Sequence, residues 1–263
     1  MLTTALLATA CSSGNGGDNA AIIDKPDFKP TDRQYTIDAL EAMGSVSAPS
    51  VNAEGKVLFG IAYESLEQNR KNTDLYVMDA DGSNQSRITR TPDSENGAVW
   101  IDGGKKIAFT SPVDGKAQLW VMNADGSDRK AASDVEGGIE GFLFSPDGTK
   151  VVMIGKVKFS RTAQDVYPDL SKATGRLIDD LMYKHWDEWV TEIPHPFIGS
   201  FDGNKVTDVK DIMADEPYEA PMRPFGGIES LAWTPDSKQV VYVSRKKTGM
   251  EYAISTNSDL YLY

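Results

Sequence analysis

With 263 residues and a hydrophobic fraction of 40%, the chain has enough apolar material for one large domain or two small ones. Its 39 acidic residues against 27 basic ones, a net charge of -12, exclude a binder of phosphate backbones, because that affinity comes from neutralising phosphates with Lys and Arg. Nucleic acid is therefore not an expected partner, and a single cysteine, Cys11, leaves no internal disulfide.

The first eleven residues, MLTTALLATAC, are a short apolar run, then small residues, then Cys11, followed by the polar stretch SSGNGGDNA. This looks like the end of a bacterial lipoprotein signal, with Cys11 as the lipidated residue. The expectation is an exported protein of the periplasm or outer membrane, with residues 1–11 as signal, 12–32 as a flexible linker and no membrane contact except through the lipid. No later segment approaches the roughly 20 apolar residues of a membrane span.

From residue 33 onward the chain repeats itself. DLYVMDADGS at 74–83 returns as QLWVMNADGS 44 residues later. Upstream of each lies a second unit, present as VNAEGKVLFG from Val51, WIDGGKKIAFTS from Trp100, FSPDGTKVVMIG from Phe144 and WTPDSKQVVYVS from Trp233. Each unit ends one strand in apolar or aromatic residues, turns on a polar Asp-Gly type sequence and starts a second strand of β-branched residues. About four strands per ~44 residues is the period of a β-propeller blade, which buries both faces only between neighbours. The DADGS and NADGS turns suggest calcium at first sight. Their glycines come three residues after Asp79 and Asn123, too early for an EF-hand loop, so they predict hairpin turns and no metal.

The expected blades run over about 46–90, 95–132, 137–212 and 226–263, the last cut short at SDLYLY. The third is interrupted over about 159–194. There Leu177, Leu181, His185 and Trp189 form one column at four-residue spacing, and Ile178, Met182, Trp186 and Val190 form the next. That pattern predicts an amphipathic helix over 172–193, ended by Pro194. The fold class expected is all-β: an incomplete β-propeller of three four-stranded blades and part of a fourth over 33–263, with one inserted α-helix. A ring of seven or eight blades cannot close on this number, so the sequence reads as part of a longer protein.

The motif DLYVMDADGS with RIT at Arg87–Thr89 resembles both the periplasmic propeller protein TolB and the propellers of bacterial prolyl oligopeptidase family enzymes. The inserted RLIDDLMYKHWDEWV at Arg176–Val190, and the lead-in DALEAMGSVSAPS at Asp38–Ser50, are similar to the dipeptidyl peptidase and acylaminoacyl peptidase branch of that family. The resemblance implies a serine peptidase acting on oligopeptides. Its catalytic serine would sit in a Gly-x-Ser-x-Gly elbow of an α/β-hydrolase domain C-terminal to the propeller. No serine here has glycine two residues before and after it, so no catalytic residue is assigned and the chain alone is expected to be inactive. The hydrolase domain and a peptide substrate are the expected partners, and no cofactor is expected.

Family members that remove dipeptides use acidic propeller side chains to hold the free N-terminal ammonium. By resemblance the candidates are Asp187 and Glu188, with a solvated helix face as the alternative. For His185 the expectation is a partly buried helix residue, and for Trp186 and Trp189 docking of the helix or lining of a peptide cavity. The rival reading is a non-enzymatic, TolB-like propeller that binds protein partners in the envelope.

Overall fold

The computed structural model describes residues 21–29 and 35–263; Cys11 and its expected lipidation lie outside the described residues. A short helix, α1 (Ile37–Glu41), is capped by the Thr36 hydroxyl and leads into strands β1 (Ser45–Val51), β2 (Lys56–Ser65), β3 (Arg70–Asp79) and β4 (Ser86–Arg87). These pair antiparallel in chain order as one sheet. A second sheet repeats the meander with β5 (Asn96–Ile101), β6 (Lys106–Val113), β7 (Lys116–Asn123) and β8 (Lys130–Ala131).

The third sheet starts with β9 (Ile139–Phe144) and β10 (Lys150–Lys158). Before it is completed the chain makes α2 (Ala163–Val166) and a small hairpin of β11 (Lys184–His185) and β12 (Glu188–Trp189). It then returns as β13 (Glu192–Phe201) and β14 (Val206–Asp211), giving the order β14-β13-β10-β9. The last sheet has three strands, β15 (Leu231–Trp233), β16 (Val240–Ser244) and β17 (Asp259–Leu262), with α3 (Gly249–Ile254) between the last two.

Alternation along each strand sends every second side chain to a face shared with the next sheet. Leu58 and Leu75 of the first sheet meet Ala98, Ile107, Phe109 and Met122 of the second. Leu119 and Val121 meet Phe142, Val151, Met153 and Phe201 of the third. Val152 and Ile154 of the third meet Leu231, Val240 and Tyr242 of the fourth. Sheets stacked face to face in this way are the blades of an incomplete β-propeller, the fold class the repeat predicts.

The recurring residues have visible tasks. The Trp100 indole donates to the Ser50 carbonyl of the preceding blade at 3.1 Å, and Trp233 does the same to Leu143 at 2.9 Å. In the DADGS and NADGS turns the Asp79 and Asn123 amides donate to the Ser83 and Ser127 carbonyls at 2.9 and 2.8 Å. Gly126 has φ +87° and lies so close to blade 1 that a Cβ there would stand 2.4 Å from the Ile88 carbonyl oxygen, which makes glycine necessary twice over. Residues 21–29, at the end of the expected linker, lie against the outer face of blade 1: Ile23 packs on Phe59, Ile61 and Tyr63, and the Asp24 carboxylate bridges Arg87 and Arg90.

The insertion departs from expectation. No helix spans 172–193; the hairpin β11–β12 occupies its centre, with Trp186 at φ +50° in the turn. Four-residue apolar spacing suits a helix, but four is also a multiple of the strand period, so it does not separate the two states. The backbone amides are taken by other acceptors. Asp180 caps Met182 at 3.3 Å and the distant Gly249 at 3.0 Å, and the Val190 amide donates to Tyr183 at 3.0 Å. Pro194 does not end a helix either. It lies inside β13 opposite Lys156, and β14 pairs only from Phe197 onward, so 192–196 is an edge where a missing N–H is tolerated.

Candidate functional site

The insertion and the loop after β14 meet over the β10–β13 edge, enclosing a polar cavity of about 210 Å³. Its base is made by the third blade: Glu140 at the start of β9, Lys156 on β10, and Glu192 and Pro194 on β13. The hairpin adds His185, Glu188 and Trp189, and the loop adds Glu219 and Arg223. The loop is tied down by the Ala220 amide, which donates to the Pro194 carbonyl at 2.9 Å, and by the Ser244 hydroxyl, which donates to the Glu219 carbonyl at 2.9 Å.

Four carboxylates line the cavity and two of them are engaged. Glu140 pairs with Lys156 at 3.2 Å and with Arg223. Glu219, with its side chain 1% exposed, has His185 Nε2 3.1 Å away. The Tyr252 hydroxyl of α3 stands 3.5 Å from its other oxygen, and burial, helped by the neighbouring Glu219 carboxylate, pushes that phenol up to about 12. Glu188 and Glu192 make no ion pair among the described residues and stay exposed at the cavity wall. The arrangement favours a small cation: carboxylate acceptors outnumber the cationic side chains, and those cations are already paired.

Of the two residues expected to hold an ammonium, the structure brings Glu188 to the cavity and leaves Asp187 exposed in the hairpin turn. His185 is half-buried, as expected, but on a strand and not a helix. Trp189 lines the cavity, whereas Trp186 is exposed and packs edge-on against Phe225 at 5.1 Å between ring centres. His195 is buried with Nδ1 2.8 Å from Asp211 and serves the sheet, away from this cavity. Glu219 escaped the sequence reading. It sits in a Pro-containing loop that also carries Asp215 and Glu216, and its only distinguishing signal is an acidic side chain flanked by Tyr218 and Ala220 in Tyr218-Glu219-Ala220-Pro221.

Residues 31–180 match the TolB beta propeller domain family. Along its whole length the chain is 44% identical to dipeptidyl-peptidase 5 of Porphyromonas gingivalis, covering 37% of that protein. It is 40% identical to dipeptidyl-peptidase 5 of Porphyromonas endodontalis over 87% of its own length and 33% of the relative's. The chain thus spans about a third of the length of these curated relatives. Among solved structures, Pyrococcus horikoshii acylaminoacyl peptidase superposes with a TM-score of 0.61 at 16% identity, over 85% of this chain and 31% of that one, which supports the fold. On its repeat, its stacked blades and this match over more than half its length, the chain belongs to the TolB β-propeller domain family.

Proposed function

We propose that this chain is the propeller part of an exported serine peptidase that removes short units from the free amino end of oligopeptides. The chemistry belongs to a C-terminal α/β-hydrolase domain, to which the propeller limits access. Cys11 is the lipid anchor in this reading. One observation carries it: the segment that makes the chain resemble dipeptidyl peptidases builds a cavity with unpaired carboxylates. An N-terminal ammonium entering there receives charge-assisted hydrogen bonds from Glu188 and Glu192, which sets how far the peptide reaches toward the nucleophile.

The test uses the protein carrying its hydrolase domain. Glu188→Gln should lower kcat/KM for dipeptide substrates with a free amine by about tenfold or more and leave N-blocked substrates unchanged, while Asp187→Ala should affect neither. Equal losses on both substrate classes would remove the ammonium role. A reading frame that continues past Tyr263 to ring closure and stops without a Gly-x-Ser-x-Gly elbow would remove the peptidase and leave a partner-binding propeller.

A further inference from the structure

The strand that opens blade 2 begins with Asn96-Gly97, the one Asn-Gly pair among the described residues. Asparagine is most reactive before glycine, because a following residue without Cβ leaves its backbone nitrogen open to the asparagine side chain. A fold protects such a pair by hydrogen-bonding the side-chain amide and by holding the next peptide in a regular ladder. Neither restraint is present here. The Thr110 hydroxyl donates to the Asn96 main-chain carbonyl at 3.1 Å, and the Asn96 side chain makes no hydrogen bond among the described residues. β5 pairs with β6 at Asn96–Thr110 and again at Val99–Ala108, with the register shifting between them, so Gly97 sits in an irregularity of the ladder. Gly97 has φ +61°, both residues are exposed, and a Cβ on Gly97 would meet nothing within 4 Å. Asn96 also lines an open cleft with Arg70 and Ser111, through which water reaches it.

Other asparagines lack this combination. Asn72 is buried and donates to Asp74 and to the Thr91 carbonyl, Asn84 donates to Asp79 at 2.6 Å, and Asn123 donates to the Ser127 hydroxyl at 2.9 Å. Asn52 accepts from the Glu54 and Lys56 amides. Asn257, exposed and followed by Ser258, is the nearest rival.

The residues on either side of the pair are fixed. Glu95 is fully buried, accepts from the Thr89 and Thr91 hydroxyls at 2.8 and 2.7 Å and pairs at 3.0 Å with Arg129 of blade 2, whose guanidinium lies over the Trp120 ring. Ala98 is buried in the core between blades 1 and 2.

We propose that Asn96 is a self-modification site, at which the folded chain turns its own backbone into isoaspartate, and that this loosens the junction of blades 1 and 2. The Gly97 nitrogen attacks Asn96 Cγ. The N–Cγ bond forms as the Cγ–Nδ2 bond breaks, and Nδ2 leaves as ammonia with the proton of the Gly97 amide. Water then opens the resulting succinimide. Cleavage of the N–Cγ bond gives aspartate; cleavage between that nitrogen and the Asn96 main-chain carbonyl carbon gives isoaspartate, with the chain running through Cγ. Either way the hydroxyl of water joins the carbonyl, its other proton goes to the Gly97 nitrogen, and nothing is oxidised or reduced. Isoaspartate puts an extra carbon in the chain, so Glu95 and Ala98 cannot both keep their places.

The test is to age the folded 263-residue chain at mildly alkaline pH and map its tryptic peptides. Thr91–Lys105 contains Asn96 as its only asparagine, and the other Asn-Gly pair, Asn15-Gly16, lies outside the described residues and falls in a different peptide. Thr91–Lys105 should gain the mass of an amide-to-acid exchange and split into aspartate and isoaspartate forms, about tenfold faster than the Asn257 peptide and as fast as in denaturant. Conversion in denaturant but not in the folded chain would overturn the proposal, as would equal rates at Asn96 and Asn257. The aged chain should melt lower than an Asn96→Gln chain aged alongside it. Within the aged wild type, the isoaspartate fraction should also exchange its amides faster over 95–101 than the unmodified fraction, a comparison that needs no variant. Equal exchange in the two fractions would overturn the loosening and leave the modification standing.

Discussion

The interface between blades 1 and 2 and the insertion at 159–191 are both rich in aliphatic and aromatic residues, but they bury them differently. Between the blades Leu58, Ile107 and Phe109 are fully buried, because each strand has a partner sheet against the face to which alternation sends them. In the insertion Leu181 and Trp186 remain 48% and 72% exposed, and only Met182 and Val190 join a buried cluster, with Ile193 of β13 and the partly buried Val157, Phe159 and Tyr252. A ladder with neighbours buries its whole apolar face. A segment supported along one sheet edge buries only what touches that edge, and the rest, Leu181 and Trp186 included, stays exposed.

The sharpest way to break this contrast is to empty the interblade face. Phe109→Ala should cost about 3–5 kcal/mol and lower the denaturant midpoint of the whole chain. A loss under about 1 kcal/mol would mean the blades do not depend on that face. Met182→Ala should cost about 2 kcal/mol, felt as easier local opening: amide exchange should quicken across 160–191 while blades 1 and 2 keep their protection. A uniform rise in exchange across all blades would make the insertion part of the same cooperative unit.

Acid sharpens the comparison at two carboxylates. Asp147, in the β9–β10 turn, is held at about 2 by the Ser145 hydroxyl and by the Thr149 amide and hydroxyl. Asp165 is held at about 2 by Lys158 and by the Thr162 amide and hydroxyl, which it binds in the capping box of α2. Both folded values lie below the ordinary 3.8, so their stabilisation is complete above about pH 4 and is lost as the pH falls toward 2. The Asp147 turn belongs to a nine-residue strand paired on both sides, whereas α2 has four residues. Acidification from pH 5 to 2.5 should therefore raise exchange, corrected for its intrinsic pH dependence, around α2 before it does so in β10. Simultaneous opening would contradict the difference in support. The smallest effect expected is for Trp186→Ala, about 0.5–1 kcal/mol from one edge contact with Phe225, measured as a slight shift in the melting midpoint.

The repeat was legible because its determinants are local. An Asp-Gly turn and a β-branched run act within ten residues, and the tryptophans at 100 and 233 recur at the same point of the unit. The insertion was misread at 172–193 because its apolar spacing fits two periodicities, and only the capture of its amides by Asp180 and Tyr183 decides between them. Glu188 was legible as a candidate through the resemblance of its segment. Its partners were not, since Glu219 and Arg223 arrive on a loop whose position depends on the Ala220 to Pro194 bond.

By itself the sequence determined the sheets, their order and the faces they share, because strand period and turn chemistry are properties of neighbouring residues. Only the tertiary structure decided which charges would meet. Glu140, Glu188 and Glu219 come from three elements far apart in the chain, and whether a carboxylate is paired or left open depends on distances that no local pattern encodes.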